Sequence, residues 1–197
     1  MKRTGRRPGT SDTRAAILDA AARRFATAGY DRASLRAIAR DAGVDQKLIA
    51  HYFGSKQQLF VAAIGMPVNP AEILPAVLAG GCEGLADRLA GVLATLLEQP
   101  DFHQRLTGVV RAAASHPDAA RMMREFLTRE VFAPIASTLD ADEPLLRANL
   151  VGSQVVGLLM ARYVIAVEPL ASTPAPVVAA AVAPTLERYL VGPLAGQ

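Results

Sequence analysis

The chain has one cysteine, Cys82, three histidines, and no uninterrupted apolar run of the roughly eighteen residues that a membrane span needs. A lone cysteine excludes an intrachain disulfide and a thiolate metal cluster, and it suits a reducing cytoplasm. Cys82 therefore reads as a small apolar residue. The histidines, His51, His103 and His116, are scattered. They form no acid–base pair, and His103 and His116 are too far apart for a helical metal pair, so they read as surface or capping residues. Nucleophile elbows and glycine-rich phosphate loops are absent too, which argues against an enzyme and against a bound cofactor or metal. The first ten residues are basic and polar and are followed by Asp19, Arg23 and Arg24, so they are no signal peptide. The longest apolar candidate, near Leu150 to Val167, is broken by Gln154 and Arg162. The expectation is a cytoplasmic protein without a membrane partner.

Strand-type alternation is likewise missing. What is there instead is apolar spacing of three to four along almost all 197 residues, rich in alanine and leucine, which reads as an all-α fold. A first helix starts at Ser11 or Asp12, puts Ile17, Ala21, Phe25 and Ala28 on one face and ends at Gly29. Ser34 caps a second, the third runs from Asp45 to Phe53, and Gly54-Ser55-Lys56 opens a fourth that reaches about Gly65. A proline- and glycine-rich passage, 66 to 81, reads as a joint containing one short helical segment. Beyond it the pattern predicts helices over 83 to 98, 102 to 115, 118 to 138, 143 to 167 and 174 to 190. The chain thus divides into a three-helix helix-turn-helix head over residues 1–60, with a basic arm over 1–10, and a larger helical body over 61–197.

Charge follows the same division. Residues 1–60 carry 12 Lys and Arg against 5 Asp and Glu, a net +7, whereas residues 61–197 carry 9 against 13, a net −4. A basic front end points to nucleic acid. Within it, Ser34 to Lys56 reproduces a helix-turn-helix, with Gly43 at the sharp reversal where a side chain would crowd the turn. Leu35, Ile38, Val44, Ile49 and Phe53 lock the pair against Ile17 and Phe25. That leaves Gln46, Lys47 and Leu48 facing outward, where Gln and Lys offer hydrogen bonds to purine edges and Leu48 can touch a thymine methyl. The arm Lys2, Arg3, Arg6 and Arg7 is short enough to enter an adjacent minor groove; the alternative is a solvated tail.

The segments Ile17 to Ala21, Phe25 to Tyr30, Ser34 to Ala39, Ala42-Gly43-Val44 and His51 to Lys56 together resemble the TetR family of bacterial repressors, densely over residues 13–60. The resemblance implies double-stranded DNA with a palindromic operator as partner, a homodimer, and a small-molecule effector bound in the body. It implies base contacts from Arg36, Gln46, Lys47 and Leu48, and phosphate contacts from Ser34, Tyr52 and Lys56. Ala50 stands where the family usually has a tyrosine, so one phosphate contact is missing and more falls to the arm.

In the body, Phe102, Leu106, Met122, Met123 and Phe126 are core residues by default; with His103 as a polar exception they are the candidate lining of a pocket for an apolar or aromatic effector. Gly152, Val156, Gly157 and Met160 in one late helix, and Val178, Val182 and Leu186 in the other, allow close helix approach. Taken alone they read as intramolecular packing; the resemblance favours a four-helix dimer interface. The competing function is a DNA-binding regulator or architectural protein without a ligand. Whether it represses or activates is not encoded in these contacts.

Overall fold

The computed structural model describes residues 10–99 and 102–194, which form helices joined by short turns with no strand among them. The head comprises α1 (Thr10–Arg32), α2 (Leu35–Ala42), α3 (Gln46–Phe53) and α4 (Lys56–Ile64). Its boundaries follow from local chemistry. Ser34 Oγ accepts from the Ala37 amide at 3.2 Å to start α2, and Asp45 Oδ1 accepts from the Lys47 amide at 2.7 Å to start α3. Ser55 and Gln58 form a reciprocal capping box on α4, both bonds at 3.1 Å. Gly43 ends α2 in the left-handed region, φ 67°, where a side chain would be strained. The helical backbone of α1 breaks at Gly29, φ 81°, where the sequence predicts its end, and a short further helical stretch reaches Arg32; a Cβ at Gly29 would also meet the side-chain ends of Arg121 and Glu125 on a body helix.

The body comprises α5 (Pro70–Leu78), α6 (Leu85–Leu97), α7 (Phe102–Ser115), α8 (Pro117–Leu127), α9 (Ala133–Ala136), α10 (Pro144–Leu159) and α11 (Ala175–Val191). The helix predicted over 118–138 is interrupted by a π-helical turn, Thr128–Phe132. Pro134 has no amide to close the normal bond, so the register widens and the Ala133 amide reaches Thr128 O. A second π-turn, Met160–Val164, ends the helix predicted to run to 167.

Packing draws the head boundary differently from the chain. The head core holds Ile17, Phe25, Tyr30, Ile38, Ile49, Leu59 and Phe60, and it also takes in Met122 and Phe126 from α8. Phe60 sits at the centre of an aromatic group, its ring 4.9 Å from Phe25, 4.9 Å from Tyr30 and 4.5 Å from Phe126. The body has two smaller clusters. One gathers Val77, Leu85, Ile135, Val151, Leu186 and Leu190; the other gathers Leu93, Leu97, Phe102, Leu158, Leu159 and Val178. Arg147, 3% exposed, ties the start of α10 to the end of α11 by donating to the carbonyls of Tyr189 at 2.9 Å and Gly192 at 2.8 Å and pairing with Asp142 at 2.5 Å.

Residues Pro144–Val164 form a segment long and apolar enough, by length and composition alone, to cross a membrane, yet it carries buried Arg147 and Arg162. What it leaves uncovered is a mixed face with Leu146 and Val156 beside Asn149 and Ser153.

Candidate nucleic-acid interface and effector cavity

The short third helix, started by Asp45, lifts Gln46, Lys47 and Leu48 out of the head core, while Ile49 and Phe53 turn inward. All three are exposed, Leu48 by 38%, and Arg36 is exposed on α2. Arg24 donates from Nε to Asp41 Oδ2 at 2.8 Å and so braces α2 against α1. The Arg24 guanidinium holds the Asp41 carboxyl below its ordinary value. Arg3, Arg6 and Arg7 lie outside the described residues. Ser34 is exposed, with its hydroxyl oxygen committed to the helix cap. Tyr52 is half-buried beside His51, ring centroids 5.4 Å apart. His51 is itself exposed on α3.

Lys56 departs from the expectation of a phosphate holder. Its Nζ donates to the Asp31 carbonyl at 3.1 Å and lies 4.7 Å from the centroid of Tyr30. Burial lowers its pKa, the expected response of an ammonium taken from water. The ammonium is thus turned toward the junction with α8 rather than toward the outer face of α3.

That junction is a cluster of charged groups. Tyr30 Oη donates to Glu130 Oε1 at 2.7 Å, the Asp31 amide donates to Glu125 Oε2 at 3.1 Å, and Arg129 pairs with Asp31 at 2.6 Å. Burial first, and the Glu130 bond second, push the Tyr30 phenol well above its ordinary range. Arg121 braces Glu125 at 3.4 Å. These residues were not singled out from the sequence, although Arg121, Glu125 and Arg129 recur at intervals of four, the signature of one charged helix face.

The six residues expected to line an effector pocket do not line one cavity. Met122 and Phe126 are sealed in the head core, 8% and 0% exposed, because α8 closes the head from beneath. Phe102 belongs to a body cluster, its ring 6.4 Å from Tyr163, with Leu106 beside it. Met123 is half-buried on α8; the side chain of His103 lies outside the described ones. A cavity of about 680 Å³ lies instead between α5 and α6, walled by Val68, Ile73, Val77, Val92 and Leu96 with Asn69, Glu72 and Arg88 as polar members. A second hollow, about 560 Å³, runs between head and body past Arg14, Tyr52, Phe53, Gln58 and Arg105. Asn69 and Glu72 border both.

The residues expected at a dimer interface divide between two faces. Val178 and Leu186 are buried inside the chain, 4% and 0% exposed, and Val182 is packed against both body clusters. Gly152 is small because the Phe132 ring rests on it, where a Cβ would collide. Val156 and Gly157 do face outward, and Met160 is half-buried. The correction is one of helical phase. The large residues 178, 182 and 186 mark the inward stripe of α11, and the outward stripe is Val177, Ala181, Pro184, Arg188 and Val191. On α10 the outward stripe is Leu146, Asn149, Ser153 and Val156.

A helix-turn-helix whose second helix presents bare polar groups at its N-terminal end, carried on a larger all-helical body, defines a DNA-binding regulator. Residues 17–63 match the family described as "Bacterial regulatory proteins, tetR family", and residues 83–190 match the "Tetracyclin repressor-like, C-terminal domain". The chain belongs to the TetR family of transcriptional regulators, whose members bind DNA and dimerise. Over 51 residues it is 47% identical to the HTH-type transcriptional regulator BetI of Rhizobium meliloti, a match that covers 26% of this chain and only 25% of that relative's length. Among solved structures, NalD of Pseudomonas aeruginosa, the secondary repressor of the MexAB-OprM multidrug efflux pump, aligns with TM-score 0.52 at 22% identity over 92% of this chain and 97% of that one. A TetR-family regulator from Streptomyces coelicolor is 33% identical over 94% of this chain and 98% of its own, with TM-score 0.43.

Proposed function

We propose that this regulator is a repressor that sits as a homodimer on a palindromic operator and is released when a small, mostly apolar or aromatic molecule enters the α5–α6 cavity. One observation carries this reading: the cavity shares Asn69 and Glu72 with the hollow that reaches Tyr52 and Phe53 at the end of the recognition helix. A volume near 680 Å³ is that of a small-molecule site. Molecules that reshape the shared wall act on the packing of α3 and α4, and so on the spacing of the two heads across successive major grooves. The dimer forms through the outward stripes of α10 and α11, where Leu145, Leu146, Val156, Val177 and Val191 are each 46–57% exposed. Gln46, Lys47, Leu48 and Arg36 read bases, and the arm, with Arg3, Arg6 and Arg7, adds phosphate or minor-groove contacts.

The test begins with DNA selected from genomic fragments by gel shift, its affinity measured against salt. Compounds that raise the melting temperature are then titrated calorimetrically with and without that DNA. Release requires the ligand to bind more weakly when operator is bound, and a tenfold difference corresponds to about 1.4 kcal/mol of coupling. Equal affinity in both experiments leaves a DNA-binding regulator without ligand response. Salt-indifferent binding of a monomer to a non-palindromic site defeats the operator reading.

A further inference from the structure

We infer that the α5–α6 cavity selects apolar molecules bearing a basic amine, with the ammonium held by Glu72; this rests on the cavity being the effector site. The wall is largely aliphatic, so the body of such a molecule is held by burial and its orientation by the few polar groups present. Two of these carry charge, Glu72 and Arg88.

Arg88 is already committed. Its guanidinium donates to the carbonyls of Val77 at 2.5 Å, Gly81 at 2.5 Å and Glu83 at 2.6 Å, and thereby pins the loop between α5 and α6. Turning it toward a ligand would strip partners from the turn it organises. Glu72 is in the opposite position. It lies in the first turn of α5 and accepts one bond, from Asn69 Nδ2 to Oε1 at 2.8 Å. Among the described residues its other oxygen, Oε2, has no partner, and the carboxylate is exposed at the edge of the cavity. An ammonium there gains a charge-assisted hydrogen bond without breaking the Asn69 bond.

The geometry also fixes how the ligand lies, with its apolar part along Ile73, Val92 and Leu96 and its cation at the wall shared with the second hollow. On the far side of that wall stand the cations Arg14 and Arg105. A ligand ammonium on Glu72 thus lies next to the head–body seam, across the shared wall from Arg14 and Arg105.

The experiment uses three probes with one skeleton, 4-phenylbutylamine, 4-phenylbutan-1-ol and 4-phenylbutyrate, titrated calorimetrically into the full-length protein. The expected order is amine tightest, by about tenfold over the alcohol, and carboxylate weakest. In Glu72→Gln the amine's advantage disappears while the alcohol binds within about twofold of wild type; the side-chain amide oxygen still accepts from Asn69, and melting temperature checks that the fold persists. The ranking of the three probes on the wild-type protein needs no variant at all. Tightest binding by the carboxylate would make Arg88 the anchor and overturn the inference, as would an amine preference that survives Glu72→Gln. Alcohol binding without any amine advantage defeats this inference and leaves the effector cavity standing. No binding by any probe defeats both.

Discussion

The head and the body of this chain bury their apolar residues in different ways. In the head, one continuous core is filled by interlocking rings, with Phe60 in contact distance of Phe25, Tyr30 and Phe126. In the body, two aliphatic clusters flank α11, the late helices loosen into π-turns, and a cavity lies open between α5 and α6. A cluster of stacked and edge-to-face rings has few alternative packings, so it fixes α1, α4 and α8 against one another. An aliphatic body divided by a cavity can yield locally without unfolding the head.

The largest effect expected concerns the two faces of α11. Val178→Asp would place an unpaired carboxylate in the body core and cost more than about 4 kcal/mol, seen as loss of cooperative thermal unfolding. Val177→Asp, one residue earlier on the opposite face, leaves the fold intact and shifts sedimentation toward the monomer. If both variants only unfold, or both only dissociate, the assignment of the two faces is wrong.

Next in size is the aromatic head against the aliphatic body. Phe60→Ala is expected to lower stability in urea by about 3–5 kcal/mol. Phe102→Ala, whose ring meets only Tyr163 among the described aromatic pairs, falls at the low end, about 3 kcal/mol or less. Equal losses would remove the contrast between the two cores.

The recognition surface comes third. Gln46→Ala should change which base is preferred at one operator position, by about 1–3 kcal/mol of discrimination, with melting temperature unchanged because Gln46 is exposed. A uniform loss over all operator sequences in a competition assay would mean that Gln46 does not read a base edge.

The smallest effect tests the seam. Tyr30→Phe removes the bond to Glu130 and costs about 1 kcal/mol at neutral pH. Because the folded phenol is raised, its contribution is present below the unfolded tyrosine value of about 10 and declines as pH climbs beyond it. The stability gap between wild type and variant should therefore shrink above about pH 10, by up to about 1.4 kcal/mol per pH unit. A gap that stays constant in urea titrations at about pH 9 and about pH 11 would mean that Tyr30 ionises as freely folded as unfolded.

Much of the head was legible because its signals are local. Ser34, Asp45 and Ser55 accept from amides two or three residues on, Gly43 donates its own amide to the carbonyls of Ala39 and Arg40, and those bonds are present. The outward turn of Gln46, Lys47 and Leu48 follows from the same short helix. Lys56 escaped the same reasoning, since its ammonium is held by Tyr30 and Asp31 from a different helix. In the body, periodicity located the helices but not their facing. Met122 and Phe126 look like pocket residues until α8 is seen to close the head, and Val178 and Val177 differ by one position and by opposite surroundings.

The sequence by itself determined that the chain is helical, where the caps of the head helices fall, that a basic head precedes an acidic body, and which residues stand bare at the start of the recognition helix. Each of these depends on spacing along the backbone or on composition. Only the tertiary structure decided that α8 belongs to the head core, that Arg88 staples the turn between α5 and α6 while Glu72 accepts a single bond from Asn69, and which stripe of α11 is left uncovered. Those outcomes depend on pairs of residues far apart in the chain, such as Tyr30 with Glu130 and Gly152 with Phe132. Helical periodicity says that a face is apolar, and packing alone says what covers it.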